Sequence, residues 1–313
     1  FDLMGLLDTG LMNRIEMELS SRYGKGEKLV FGEPWSASET PMEQEALPAL
    51  KKNIDRLNPQ VGFFCDDTRD AIKGHTFEGG TPGFVNGGKG PEGAILSSVK
   101  AWCGPGSKVQ APSQVVTYVS AHDNWTLWDK LSPTVEDEAE RMRANRMAAA
   151  VYMTCQGRIF FLSGEEASRT KGGLENSYNA PIEINRLDWN RMYEQYELVE
   201  YYSGLIALRK RLPGLCDKSK DGGKRDRDGW KTGGFVGFLV DNSSEGEPSL
   251  WERLCVIYNS RQEEIERNLP KGKWEVLVDA HSSRLWQNPF VTEGTIRVEG
   301  RSVLVLGQTG KEG

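Results

Sequence analysis

Apolar positions in the first two thirds of the chain come in two textures. One is the short unbroken run: Leu29-Val30-Phe31, Val61-Gly62-Phe63-Phe64, Val115-Val116-Thr117-Tyr118-Val119, and Ile159-Phe160-Phe161-Leu162 after Arg158. Gly32 and Pro34 stop the first, Pro112 precedes the third, and Ser163-Gly164 closes the fourth. Runs of this length suit parallel strands buried on both faces. The other texture is helical. Leu11, Ile15 and Leu19 recur every fourth residue over 11–22, which predicts an amphipathic helix with Glu16 and Glu18 on other faces. Residues 138–156 carry Met142, Met147, Ala150, Val151 and Met153 and end at Gly157, and 194–212 is apolar and ends at Pro213-Gly214; both read as helices. Alternation of strand and helix over about 210 residues means an α/β fold with a parallel sheet. Four complete strands are counted, plus the tip of another at Phe1-Asp2.

The texture changes after Pro213. Residues 217–228 (Asp-Lys-Ser-Lys-Asp-Gly-Gly-Lys-Arg-Asp-Arg-Asp) form a charged, glycine-bearing run that reads as a solvated loop or linker. Beyond it, 235–240, 254–258, 274–278, 295–298 and 302–306 are short apolar runs separated by turn residues, the pattern of a small antiparallel sandwich. The expected division is 1–215 as the α/β part, 216–228 as linker, and 229–313 as an all-β domain.

Composition narrows the function classes. A chain of 313 residues suits about two domains. Its 45 acidic residues against 39 basic ones argue against a nucleic-acid partner, which calls for a basic face. No apolar run approaches the roughly 18 residues of a spanning helix, so a membrane partner is not expected. Cys65, Cys103, Cys155, Cys216 and Cys255 are odd in number, widely spaced and without a C-x-x-C pair, so they read as reduced thiols, a mild pointer to a reducing compartment. The chain opens Phe1-Asp2-Leu3-Met4-Gly5, without an initiator Met or a signal-like segment, so it reads as the interior of something longer and localisation is left open.

Candidate chemistry gathers at the ends of the apolar runs. In barrels of alternating strands and helices, the C-terminal edge of the strands is where active sites are built. Asp2 follows one strand tip, Glu33 follows Leu29-Val30-Phe31-Gly32, and His122-Asp123-Asn124 follows Val119-Ser120-Ala121. Asp2 and Glu33 are separated by the length of one strand–helix–strand unit, so the two can share one pocket. Cleavage of a glycosidic bond needs such a pair: one carboxylate attacks the anomeric carbon and one carboxylic acid protonates the leaving oxygen, about 5–5.5 Å apart in retaining enzymes. Crowded like charges raise one pKa and keep the acid protonated. A third carboxylate offsets developing charge, and Trp35 offers an aromatic face to a sugar ring. His75 and His281 read as surface or satisfied histidines. No H-x-x-x-H, cysteine cluster or EF-hand loop suggests a metal, and Gly87-Gly88-Lys89-Gly90 does not follow a strand and is not a phosphate loop.

These residues resemble the α-amylase superfamily of glycoside hydrolases (family 13), and within it the type I pullulanases. Phe1-Asp2-Leu3-Met4-Gly5 is similar to the tail of the motif that carries the nucleophilic aspartate, here Asp2. Phe31-Gly32-Glu33-Pro34-Trp35 is similar to the motif of the acid/base glutamate, here Glu33. Tyr118-Val119-Ser120-Ala121-His122-Asp123-Asn124 is similar to the motif of the transition-state-stabilising aspartate, here Asp123, with His122 beside it. The stretch 63–74 with Gly83-Phe84-Val85, and Arg169-Thr170-Lys171-Gly172-Gly173 with 175–181, resemble the pullulanase segments after the sixth and eighth strands. Cys65 stands where the family has Asn, a departure that bears on local hydrogen bonding. The match covers roughly residues 1–213; the remainder resembles the family's C-terminal β-sandwich in position and pattern.

The resemblance implies the second half of a (β/α)8 barrel, from the end of strand 4 to helix 8, followed by an antiparallel β-sandwich. It implies a retaining hydrolase acting on α-1,6-glucosidic links of pullulan, starch or glycogen-type α-glucans, with Asp2, Glu33 and Asp123 catalytic and His122, Asn124, Trp35, Arg169, Asn176 and Tyr178 contacting substrate. An isoamylase-like or α-1,4-acting hydrolase is the near alternative; an inactive glucan-binding fragment is the distant one. No cofactor is required; a structural calcium ion is allowed by this reading, but nothing in the sequence signals one. The first four strands, and the arginine that precedes Phe-Asp in the family, would lie upstream of Phe1. The expected partner besides the glucan is therefore the other half of the same protein, and these residues alone are expected to be inactive.

Overall fold

The computed structural model describes residues 1–36, 38–244 and 249–309. Strands β1 (Val30–Gly32), β2 (Val61–Phe64), β3 (Val115–Thr117) and β4 (Arg158–Ile159) form one parallel sheet in chain order. Val30 pairs with Val61, Phe63 with Val115, and Val116 with Arg158. Parallel pairing returns every strand to the same edge, which requires crossovers. Helix α1 (Thr9–Tyr23) precedes β1; α2 (Asp66–Lys73) and α3 (Glu92–Val99) join β2 to β3; α4 (Leu127–Leu131) and α5 (Glu138–Met153) join β3 to β4. After β4 come α6 (Ile182–Asn185), α7 (Trp189–Glu194) and α8 (Tyr196–Arg209). Among the described residues no helix is long and apolar enough to cross a membrane.

The expected helices form, with one shift of face. Asp8 caps α1 by accepting the Leu11 amide at 2.8 Å. Its buried stripe is centred on Met12 and Glu16, not on Leu11, and Ile15 and Leu19 flank it. Glu16 can be buried because its carboxylate is satisfied: Asn58 Nδ2 donates at 2.6 Å and Ser20 Oγ at 2.5 Å. Asp137 caps α5, whose last six residues are all buried. The half-buried Arg209 guanidinium of α8 donates to the carbonyls of Met153, Cys155, Gly157 and Leu215. The end of α5 is thereby satisfied where no further turn exists to do it. Helices α2 and α3 have no clear apolar stripe in the sequence. In α2, Thr68, Arg69 and Lys73 are buried beside Ala71 and Ile72, so polar bonds add to its apolar packing.

The remaining strands are β5 (Asp226–Thr232), β6 (Phe235–Asp241), β7 (Arg253–Asn259), β8 (Ile265–Asn268), β9 (Trp274–Val278), β10 (Val291–Thr292), β11 (Thr295–Val298) and β12 (Ser302–Gln308). Six of them make an antiparallel sheet ordered β10-β9-β12-β7-β6-β5, and β8 and β11 make a separate two-stranded ribbon. Alternation along the strands divides the sheet's two faces. Phe235, Leu239, Cys255, Ile257, Trp274 and Leu306 pack with Ile265 and Val298 of the ribbon. Val236, Phe238, Val240, Val256, Tyr258 and Val305 join the core of α5 and α8. The second layer of this domain is thus a ribbon on one face and the helices on the other. The Tyr258 hydroxyl sits 2.6 Å from Thr154 Oγ1 at the end of α5.

The charged run at 216–228 is not a solvated linker throughout. β5 begins inside it, with Asp226 opposite Val240, and Asp226 is only 3% exposed. Burial pushes its carboxyl well above the usual carboxylate range. Asp217 takes Arg225 Nε at 2.6 Å, and Gly222 and Gly223 are buried against Pro112 and Cys103. A charge run looks solvated in sequence because the pairing that docks it is not local.

Candidate active site

The C-terminal edge of the parallel sheet carries an aromatic floor. Phe64, at the end of β2, meets Phe31 of β1, Tyr118 after β3 and Phe160 after β4 edge-on, at centroid distances of 5.7, 4.9 and 5.1 Å. Such T-shaped pairs are favoured by the ring quadrupoles. Above this floor opens a cleft of about 370 Å³, lined by Glu33, Trp35, Tyr118, Ser120, Asp123 and Asn124 together with Phe64, Asp66, Arg69, Lys73, Thr76, Phe77 and Ala121.

Asp2 and Glu33 reach this edge on adjacent segments. The Glu33 amide donates to Phe1 O and the Gly5 amide donates to Glu33 O, each at 3.0 Å. This lays residues 1–5 alongside 31–33. Gly32 allows the approach: a Cβ there would lie 2.6 Å from Phe1 O and from Met4 Cβ. The Leu3 amide donates to Glu33 Oε2 at 2.9 Å. Donor atoms of Asp2, Glu33 and His122 all lie within 4.8 Å of one another, with Glu33 buried and the other two exposed. His122 Nε2 is 3.5 Å from Asp123 Oδ1. Asn124 takes a left-handed conformation, φ 60°, as the chain turns away.

The carboxyl of Glu33 is raised above its usual range. Burial is the main cause, and the neighbouring Asp2 carboxylate adds to it, against the Leu3 amide and His122, which pull the other way. The pair therefore offers one carboxyl biased to hold its proton beside one that is open to solvent. The same three donors are the one such group among the described residues that could touch a metal ion.

Six of the residues anticipated from the sequence converge here: Asp2, Glu33, Asp123, His122, Asn124 and Trp35. Arg169, Asn176 and Tyr178 do not join them. The Arg169 guanidinium donates to Ser163 O at 2.9 Å and to Asn185 O, and it lines a separate cavity with Asp188, Trp189 and Arg191. Asn176 and Tyr178 lie exposed on the same loop. None of these three side chains lines the cleft. Arg69 and Tyr118 were not anticipated; Arg69 Nη1 donates to the Tyr118 hydroxyl at 3.1 Å and Nε pairs with Asp70 at 2.7 Å. The aromatic residues ending the strands were the signal that could have found this wall. Cys65, at the N-cap of α2, is buried, accepts from Thr68 Oγ1 at 3.4 Å, and has its thiol pushed up to about 11 by burial.

The likeness to known proteins runs along the whole chain. The family description "Pullulanase, all-beta domain" matches residues 232–282. The pullulanase of Bacillus subtilis (strain 168) is 34% identical over 315 residues, covering 98% of this chain and 42% of that protein. Among solved structures, apo pullulanase from Paenibacillus barengoltzii matches with a TM-score of 0.88 and 35% identity over 99% of this chain and 47% of its own. Type I pullulanase from Bacillus subtilis, solved with maltose, matches with a TM-score of 0.88 and 30% identity over 99% of this chain and 43% of its own. The chain spans less than half the length of these relatives. In sequence and in fold, this chain is similar to pullulanases over nearly all of its length.

Proposed function

We propose that this chain carries the catalytic carboxylates of a retaining, debranching glycoside hydrolase that cleaves α-1,6-glucosidic links in pullulan and branched α-glucans. The carrying observation is the convergence of the Asp2 and Glu33 carboxyls with His122 within 4.8 Å, one buried and one open, at the tip of a parallel sheet. That spacing favours a retaining over an inverting pair, which needs roughly 6.5–9.5 Å for an intervening water. In this reading, Asp2 attacks the anomeric carbon while Glu33 gives its proton to the departing glycosidic oxygen. Glu33 then takes a proton from water, and the resulting hydroxide displaces Asp2 from the sugar. Asp123, held against His122, steadies the positive charge that builds on the ring. Trp35 and the aromatic floor offer apolar faces to the pyranose. The names of the relatives, and the maltose held by one of them, support an α-glucan ligand.

The four-stranded parallel sheet supports half of a (β/α)8 barrel, with β1 to β4 as its last four strands and β5 to β12 as a C-terminal domain that begins with β5 at Asp226. A half barrel leaves two strand edges unpaired, so turnover needs the polypeptide that completes the ring. The test is product analysis on pullulan, run on the whole gene product and on these 313 residues alone. Maltotriose as sole product from the whole protein, and none from the isolated residues, supports the proposal. Cleavage of α-1,4 links instead overturns the linkage, and binding of glucan without turnover by the whole protein overturns the enzyme assignment.

A further inference from the structure

Asp123 and its neighbours leave β3 in a loop with little regular structure, yet three of its carbonyls are held from below. Lys171, 3% exposed, donates from Nζ to His122 O at 2.7 Å and to Asn124 O at 3.2 Å. It thus holds the carbonyls of the residues on either side of Asp123. Lys73 Nζ, also buried, stands 3.5 Å from Trp125 O. Lys171 is itself anchored: its amide donates to Asp129 Oδ2 at 2.7 Å, and Asp129 Oδ1 accepts from Thr170 Oγ1. The two loops are stitched again where Trp125 Nε1 donates to Gly173 O at 2.9 Å.

A buried ammonium costs several kcal/mol in lost hydration unless its three N–H groups are used. Here those N–H groups are directed at the backbone of one loop, whose Asn124 holds the left-handed conformation that asparagine accepts more readily than other non-glycine residues. The energy of that burial therefore goes into the orientation of the Asp123 segment. We infer that Lys171 is a positioning residue for Asp123: bridging the His122 and Asn124 carbonyls, it aims the intervening carboxylate into the cleft. This rests on the proposed function for Asp123. It also assigns the work of the 169–173 loop to Lys171 rather than to Arg169.

The test compares the whole gene product carrying Lys171→Met, Lys171→Gln, Asp123→Asn and the double change Lys171→Met with Asp123→Asn, using pullulan kinetics and crystal structures. A misplacement of about 1 Å costs up to about 10²-fold in rate. Lys171→Met is expected to lower kcat about 10–100-fold with KM within about threefold, and to lower it no further once Asp123 is Asn. Lys171→Gln, which keeps amide N–H groups for the carbonyls, is expected to lose less and serves if the Met variant does not fold. The variant structures should show the Asp123 carboxyl displaced by roughly 1 Å or more. Losses that multiply in the double variant, or an Asp123 carboxyl unmoved in both Lys171 variants, overturn the inference. If the parent cleaves no α-glucan, the proposed function fails by that result, and the positioning of Asp123 is decided by the structures alone.

Discussion

The Leu3 amide donates to Glu33 Oε2 at 2.9 Å, so the residue that follows Asp2 grips the carboxyl that Asp2 faces. One backbone bond thereby fixes the spacing of the two acids on which the proposed chemistry turns. It also opposes the effects of burial and of Asp2, keeping the Glu33 carboxyl from being driven up without limit.

Glu33→Gln keeps the shape of the side chain and removes the transferable proton. Turnover of pullulan by the whole protein is expected to fall by about 10²–10⁴-fold, the usual worth of a positioned acid, while maltotriose affinity by calorimetry changes little. Equal rates in variant and parent would remove Glu33 from the mechanism.

The Glu33 carboxyl is raised in the folded protein, so its neutral form is favoured by folding. Its contribution to stability is full below the unfolded value of about 4.5 and is lost as pH rises through the folded pKa. The alkaline fall of kcat/KM should follow this group. Asp2→Asn removes one cause of the rise, so carbon-13 NMR of the Glu33 carboxyl should give a lower midpoint in that variant. An unmoved midpoint would mean the two acids do not feel each other.

Glu165 is fully buried and accepts from Ser120 Oγ, from Tyr152 OH at 2.9 Å and from Tyr202 OH at 3.0 Å; burial pushes its carboxyl up to about 7. The folded pKa lies above the unfolded one, so its stabilisation is present below pH 4.5 and disappears between there and about 7. Glu165→Gln does not ionise. Its unfolding free energy relative to the parent should therefore improve by up to about 3 kcal/mol between pH 5 and 8, read by denaturant titration. A difference independent of pH would show that the carboxyl is already ionised at pH 5.

Arg169 spends its guanidinium on Ser163 O and Asn185 O, which ties the start of its loop to the end of α6. Arg169→Ala should cost about 1–3 kcal/mol of stability by leaving a carbonyl unpaired, with maltotriose affinity changed less than about threefold. A large loss of affinity at unchanged stability would return Arg169 to the substrate contacts.

Much of the site was legible because its residues sit next to strand ends that the apolar runs already mark. Glu33 follows Val30 and Phe31, and Asp123 follows a run beginning at Val115, so their edge of the sheet follows from the strands alone. What was illegible is polar burial. Lys171, Lys73 and Glu165 look like surface residues in sequence, yet each is at most 3% exposed. Asp226 looks like part of a solvated run and starts a strand instead. A polar residue declares itself buried only through partners far along the chain, as Glu16 does through Asn58.

The sequence by itself determined the parallel-then-antiparallel order, the three acidic tips and the aromatic residues among them, because hydrophobic period and strand ends are local properties of the chain. The tertiary structure alone decided which loop side chains face the cleft, turning Lys171 beneath Asp123 and Arg169 away from it, and how the charged run docks. Those outcomes depend on hydrogen bonds between residues that are not chain neighbours, 49 and 47 positions apart for Lys171, whose energies exist only once the chain has closed on itself.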